Sequence, residues 1–275
     1  MTQPDLQRAL EVAVDAARAA GALLRQNHHA PKVVNAHTRH DLKLELDVRC
    51  QRRIQRVLTR AFPDLPILGE EESAGGADAG WRWVVDPIDG TVNYAHGIPH
   101  ACVSIALQRA TSSAATRRGE AWDSVGGVVF DPFCDELWTA RRGRRARLNG
   151  RPIRVSDRPL SRAVVSLGFG KSALALAYLL PAMEALTHRV RKIRIMGAAA
   201  LALCYVAAGR FDAFAEPGLR LWDIAAGGLI LECAGGVFWR RPLPGEHRYL
   251  VNGHNGRLAR PLNRLVAAAA EAAVA

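Results

Sequence analysis

Two carboxylates stand three residues apart in Asp86-Pro87-Ile88-Asp89, and Gly90-Thr91 follow at once. Acids at this spacing, aimed off a strand end, suit a hard cation that takes oxygen ligands. The glycine and threonine offer backbone N–H groups and a hydroxyl where a following helical turn could cradle a phosphate. Read blandly, Asp-Gly is a turn pair and its acids are solvated. Other acids pose the same choice. Asp223, in Leu221-Trp222-Asp223-Ile224-Ala225, precedes an apolar stretch and could cap a helix, and Asp47, in Asp41-Leu42-Lys43-Leu44-Glu45-Leu46-Asp47, could do likewise. Glu70, in Gly69-Glu70-Glu71-Glu72-Ser73, and Glu216, before Pro217-Gly218, read as solvated loop and turn residues or as members of one site.

The elements that must position these groups follow from periodicity. Leu6 to Gln26 carries apolar residues at helical spacing, with Pro4 suited to a first turn, and Asp41 to Arg60 holds a second helix with Cys50, Ile54, Val57 and Leu58 on one face. Trp83-Val84-Val85 reads as a buried strand that breaks at Asp86, and Ala101 to Leu107 as another. Ser124 to Asp131 and Glu136 to Ala140 form two strands joined by a turn. Ser73 to Gly80 and Thr111 to Glu120 read as loops. The second half alternates: strand Ala163 to Leu167, helix Ser172 to His188, strand Val190 to Met196, helix Gly197 to Ala208 and strand Phe211 to Ala215. A helix from Trp222, strands near Val237 and Tyr249 and an Ala-rich terminal helix complete it. Such alternation predicts an α/β layer arrangement.

The run DPIDGTVNYAHGIPHACVSIAL closely resembles the core motif of the inositol monophosphatase family, magnesium-dependent, lithium-sensitive sugar-phosphate phosphatases. Gly69-Glu70-Glu71, the Trp222-Asp223 segment, Asn149-Gly150-Arg151-Pro152-Ile153 and the start of the second helix resemble further family segments, so the resemblance covers nearly the whole chain. It implies an α/β fold, the five-layered αβαβα sandwich of the fructose-bisphosphatase and inositol monophosphatase type. Residues 1–155 would form an α+β half carrying most metal ligands, and 156–275 an α/β half carrying Asp223 and Glu216. The implied activity is hydrolysis of inositol monophosphate or a related sugar or polyol phosphate by metal-activated water, in line and without a phosphoenzyme. The implied cofactor is Mg²⁺, two or three ions, held by Glu70, Asp86, the Ile88 carbonyl, Asp89 and Asp223. Glu70 and Thr91, with Asp47 behind them, would activate the water. Asp89, Gly90, Thr91, Ala199, Glu216 and Asp223 would bind substrate. Relatives carry a lysine near Ala36 and a threonine before Asp47, where this chain has Leu46; Lys43 is the nearby cation. Thr91-Val92-Asn93-Tyr94 resembles the inositol-phosphatase form more than the nucleotide or histidinol-phosphate branches; 3′-phosphoadenosine phosphate, histidinol phosphate and fructose 1,6-bisphosphate remain alternative substrates. A homodimer is implied.

The chain has 275 residues, 49% hydrophobic and 23% charged, an ordinary globular composition. Its N-terminus lacks an uninterrupted apolar stretch behind a basic start, and no run approaches the roughly 20 apolar residues of a membrane span, so a cytoplasmic protein is expected. Five scattered cysteines, Cys50, Cys102, Cys134, Cys204 and Cys233, argue against a disulfide framework or a zinc site and for buried thiols. His28, His29, His96 and His100 are expected in structural roles, because hard Mg²⁺ prefers oxygen. The net charge is +11, and Arg141 to Arg158 holds eight arginines against Asp157 alone. Few aromatics and no recognisable nucleic-acid module accompany them, so a solvated face or a field for anionic substrates is favoured over sequence-specific nucleic-acid binding. The competing function class is a non-catalytic accessory protein that associates with nucleic acid through this basic surface.

Overall fold

The computed structural model describes residues 4–32, 34–37, 42–75, 80–111, 122–169 and 173–258. In chain order these form α1 (Leu6–Gln26), β1 (Val34–His37), β2 (Leu42–Leu44), α2 (Glu45–Ala61), β3 (Ile67–Gly69), β4 (Trp81–Asp89), the short α3 (Thr91–Ala95), β5 (Cys102–Ala110), β6 (Trp122–Asp131), β7 (Glu136–Arg141), β8 (Arg147–Leu148) and β9 (Arg151–Pro152). Then follow β10 (Val164–Leu167), α4 (Ala173–Thr187), β11 (Lys192–Arg194), α5 (Ala199–Ala207), β12 (Ala213–Arg220), α6 (Leu221–Cys233), β13 (Val237–Pro242) and β14 (Arg248–His254).

Strands β3 to β9 make a seven-stranded sheet in sequence order, antiparallel except for the β3–β4 pair. A second sheet has the order β11-β10-β12-β14-β13, with β10 parallel to both neighbours and β14 antiparallel to β12 and β13. Helices α1 and α2 cover one face of the first sheet, α5 and α6 lie between the two sheets, and α4 covers the far face of the second. This is a five-layered αβαβα sandwich.

Burial explains the layering. The stripe Val12, Ala13, Ala16, Ala17, Ala20 and Leu24 of α1 packs on Val103, Ile105 and Val128 of the first sheet. Its start is capped by Asp5, whose carboxylate accepts from Gln7 N at 2.9 Å; Pro4 precedes the cap instead of occupying the first turn. Helices α5 and α6 are apolar all round, as an element buried on every side must be. Their Leu201, Leu203, Ile224, Ile230 and Leu231 fill the space between the sheets with Val84, Val129, Trp138 and Val251.

Most expected elements lie within a few residues of their predicted positions, with instructive differences. Strand β4 does not break at Asp86 but continues to Asp89. Strand β12 runs on through Glu216 to Arg220, so Glu216 is a strand residue and not a turn residue. The Val190–Met196 strand contracts to β11, and residues 34–44 contain the β1–β2 pair, which their irregular pattern conceals. Cys50, Cys102 and Cys204 are buried, Cys134 is exposed, and all five thiols are free. The 112–120 connection, part of the 73–80 loop and the Ala-rich terminal segment lie outside the described residues. Among those described, no helix is long and apolar enough to cross a membrane.

Truncating the fully buried Ile230 in α6 opens a cavity in the layer shared by both sheets. Ile230→Ala is expected to lower stability by roughly 2–5 kcal/mol, read as a fall in denaturant midpoint at constant slope.

Candidate active site

Residues three apart on a regular strand point to opposite faces of the sheet. Asp86 pairs with Ser104 and Asp89 with Cys102, so β4 carries one more residue than β5 across this interval. That single-residue bulge turns both carboxylates toward the α5/α6 side. Asp86 Oδ1 accepts from Ile88 N at 2.9 Å, which fixes the kinked backbone. Immediately beyond, Gly90 takes φ +94°, and a Cβ there would meet His100 O at 2.9 Å and Ala198 Cβ at 3.2 Å, so only glycine suits the turn. Helix α3 then begins. At five residues its contribution is the unpaired N–H groups of its first turn and not a macrodipole.

Asp89 is gripped from the other half of the chain. The Ala199 and Ala200 N–H groups at the start of α5 donate to its two oxygens at 3.1 and 2.8 Å, and Cys102 Sγ lies 3.6 Å away. Burial pushes the Asp89 carboxyl up to about 6, while the Ala200 and Ala199 donors and the Cys102 thiol pull against it. Asp47 and Asp223 occupy equivalent places on different helices. Neither is an N-cap. Each sits three residues into its helix and reaches back to the capping N–H, Leu44 N at 2.6 Å for Asp47 and Arg220 N at 2.7 Å for Asp223. Burial, then the charge of Asp89, raise Asp223 to about 7.

Glu70 follows β3, its N–H bonded to Val85 O at 3.1 Å, so the pairing of β3 with β4 delivers it beside Asp86. Its carboxyl is held well above the usual range by burial first, then by the charges of Asp223, Asp47 and Glu71. Asp86 is raised likewise by burial and then by Glu70 and Asp89. Hydrogen bonds link Asp86 to both Glu70 and Asp223. Glu216 on β12 is raised to about 8 by burial, then by Asp223 and Asp89. Glu70, Asp86, Asp89, Asp223 and Glu216 therefore sense one another across three layers.

Two expected roles look different in the structure. The Thr91 hydroxyl donates to the Ile88 carbonyl at 2.8 Å, tying together two groups of the expected site. The Ala199 amide is engaged by Asp89, not turned outward. Lys43 lies on β2, paired with Ala36, and its side chain lies outside the described residues.

The donor set of Glu70, Asp86, Asp89, Asp223 and the Ile88 carbonyl is all oxygen. It offers carboxylates and a carbonyl without histidine, which fits a hard cation. Buried acids that raise one another's proton affinity also mark a place where positive charge is missing. Among the described residues, however, no three acidic, histidine or cysteine side chains already surround one point as a cage. The acidic oxygens instead engage one another and backbone N–H donors.

The model of the inositol monophosphatase family matches residues 5–273. The chain belongs to the inositol monophosphatase family. The inositol-1-monophosphatase of Rhizobium meliloti is 42% identical over 237 residues, covering 82% of this chain and 83% of that protein. A protein of Xylella fastidiosa named Nus factor SuhB is equally identical, 42% over 236 residues, with 83% and 80% covered. Among solved structures, the SuhB protein of Bartonella henselae superposes with a TM-score of 0.82 at 35% identity, over 93% of this chain and 97% of that one. The Thermotoga maritima inositol monophosphatase does so at 0.81 and 30%, over 96% and 98%. Membership supports a phosphatase.

This inositol monophosphatase-family site also uses residues that sequence reasoning passed over. Cys102 and Ala200 hold Asp89. Ser104 Oγ donates to the Trp222 carbonyl at 3.1 Å, tying β5 to the turn that carries Asp223. Gln51, buried on α2, accepts from Glu71 N at 3.0 Å and steadies the Glu70 loop. A polar residue inside the apolar face of α2 was the available signal. Gly168 leaves room for Glu216, since a Cβ there would lie 1.7 Å from Glu216 Oε2. Nothing local marked that glycine.

A divalent cation that binds this acidic cluster stabilises the native state by mass action. Millimolar Mg²⁺ should raise the melting temperature of the wild-type protein, and Asp86→Asn should reduce that rise. An equal rise in both proteins would remove Asp86 from the cation site.

Proposed function

We propose that the protein is a Mg²⁺-dependent phosphomonoesterase that hydrolyses inositol monophosphate or a related sugar or polyol phosphate. The observation that carries this reading is the convergence of Glu70, Asp86, Asp89 and Asp223, from three separate segments, beside the free first-turn amides of α3. Glu70, Asp86, Asp89, Asp223 and the Ile88 carbonyl would hold two or three magnesium ions, which when bound supply charge neutralisation and a more acidic water.

The chain's own residues account for the rest. Gly90 and Thr91 present N–H groups to the phosphoryl oxygens. Glu70, whose carboxyl is raised by burial and by neighbouring acids, is placed to hold or accept a proton from the attacking water. Asp47 lies behind it and adds to the negative field. Thr91, bonded to Ile88 O, fixes the turn between the acids and the phosphate cradle. Glu216 and Asp223 face the alcohol, where a protonated or ionised carboxyl can bond hydroxyl groups. Attack in line releases inorganic phosphate and the alcohol. Fructose 1,6-bisphosphate, histidinol phosphate and 3′-phosphoadenosine phosphate are the alternative substrates to screen alongside. The protein acts as a cytoplasmic homodimer in this reading, which light scattering at micromolar concentration tests.

A second reading has its own support. A groove of about 770 Å³ between α1 and the β7–β9 edge is lined by Arg141, Arg144, Arg145 and Arg147, with Glu11 and Asp15 on its α1 wall, and several similar proteins carry the name Nus factor. An accessory protein that associates with nucleic acid through this edge would retain RNA in a salt-sensitive way and release no phosphate with Mg²⁺.

Asp89→Asn removes a charge and leaves one acceptor oxygen for the two N–H donors of Ala199 and Ala200. Mg²⁺-dependent phosphate release from inositol monophosphate should fall at least a thousandfold, with circular dichroism close to wild type showing that the variant is folded. Wild-type turnover in Asp89→Asn would reject the assignment.

A further inference from the structure

Three glutamates stand in a row, Glu70-Glu71-Glu72, and successive side chains leave the backbone in different directions. Something must therefore select the one that enters the acidic site. Glu70 enters, its carboxyl hydrogen-bonded to Asp86. Glu72 stays outside, its Oε1 3.1 Å from Arg52 Nη2.

The buried Gln51 of α2 holds the run between these two ends. It is 1% exposed and lies beside Cys50, Ile54 and Leu58, where a carboxamide is costly unless it is hydrogen-bonded. Its Oε1 accepts from Glu71 N at 3.0 Å, and its Nε2 donates to Glu72 O. Gln55, one turn further along the same face, donates to that carbonyl at 3.3 Å. Gly69 permits the approach, since a Cβ there would lie 2.4 Å from Gln51 Nε2.

The bond to Glu71 N matters most for the site. Glu70 N donates to Val85 O at 3.1 Å, so β4 holds the peptide unit before Glu70 and α2 holds the one after it. Peptide units are planar, so pinning both leaves the Glu70 backbone little freedom and sets the direction of its side chain. Repulsion from Asp223 and Asp47 works against that placement, and the two backbone bonds resist it.

We propose that Gln51 is the positioning residue that selects Glu70 from the three glutamates, locking the run so that its first carboxyl joins Asp86 while its third stays outside against Arg52. Gln51 acts through Glu70 and touches neither cation nor substrate. The proposal deepens the phosphatase reading and rests on it only for the bound cation.

The test measures Mg²⁺ binding to the full-length protein by calorimetry, without substrate. Gln51→Met fills the same space with no acceptor for Glu71 N, and Mg²⁺ affinity should fall on the order of tenfold, as when a partner behind a metal ligand is lost. Gln51→Glu should bind nearly as the wild type does, because its carboxyl accepts from Glu71 N and, when protonated, donates to Glu72 O. Gln55→Met, which loses only the outer bond, should leave Mg²⁺ affinity unchanged. A merely structural Gln51 would lower the melting temperature and leave Mg²⁺ affinity intact, so wild-type affinity in folded Gln51→Met overturns the proposal. An equal loss in Gln51→Glu also overturns it. Should Gln51→Met not fold, Gly69→Ala decides, since it displaces the Gln51 carboxamide and should weaken Mg²⁺ binding likewise; unchanged binding there overturns the proposal. If the wild type binds no Mg²⁺, the cation reading fails and amide hydrogen exchange decides the lock. Faster exchange at Glu71 N in the folded Gln51 or Gly69 variant supports it, and unchanged exchange overturns it.

Discussion

The structure turns on the mutual repulsion of carboxylates enclosed between two sheets. Glu70, Asp86, Asp89 and Asp223 each lose water on folding; Asp223 raises the proton affinity of Glu70 and Asp86, Asp89 that of Asp86 and Asp223, and Glu70 that of Asp86. Left uncompensated, such a cluster would oppose the packing of α6 against β4 and β5. The chain answers with N–H donors. The start of α5 holds Asp89, and the start of α6 holds Asp223. The side-chain contacts of Asp86 with Glu70 and Asp223 add to the compensation, and a hard cation would be a stronger partner for all of these oxygens.

This compensation dictates the architecture near the site. The amides that hold Asp89 come from residues more than a hundred positions away, so the site exists only when α5 is seated between the sheets. The apolar character of α5 and α6 therefore serves function as well as stability: their burial brings two helix starts to the edge of the first sheet. The β4 bulge supplies the matching half by turning Asp86 and Asp89 to one face. Gly90 and Gly168, where a Cβ would clash, leave room for the turn into α3 and for Glu216.

Much of this was legible in the residues. The helical stripe of α1, the alternation that ends in two packed sheets and the motif around Asp86 and Asp89 are local patterns, set by side-chain periodicity and turn chemistry. Other features were misread for a local reason. A proline inside Asp86-Pro87-Ile88-Asp89 signals a break, yet the strand continues because the bulge absorbs the missing donor. Pro217-Gly218 signals a turn, yet β12 continues through a register shift against β14. Asp47 and Asp223 resembled helix caps because a cap and a residue three positions further draw on the same side-chain chemistry.

What the sequence determined by itself was the set of elements, the residue types able to serve a phosphate and a hard cation, and membership of a family through motifs whose spacing is short-range. The tertiary structure decided which groups meet. Cys102 beneath Asp89, Ser104 on the Trp222 carbonyl and Gly168 against Glu216 are contacts between distant segments. No local period encodes them, because they arise from the way two sheets clasp a shared pair of helices. Packing, acting on surfaces that each segment presents blindly, selects those neighbours.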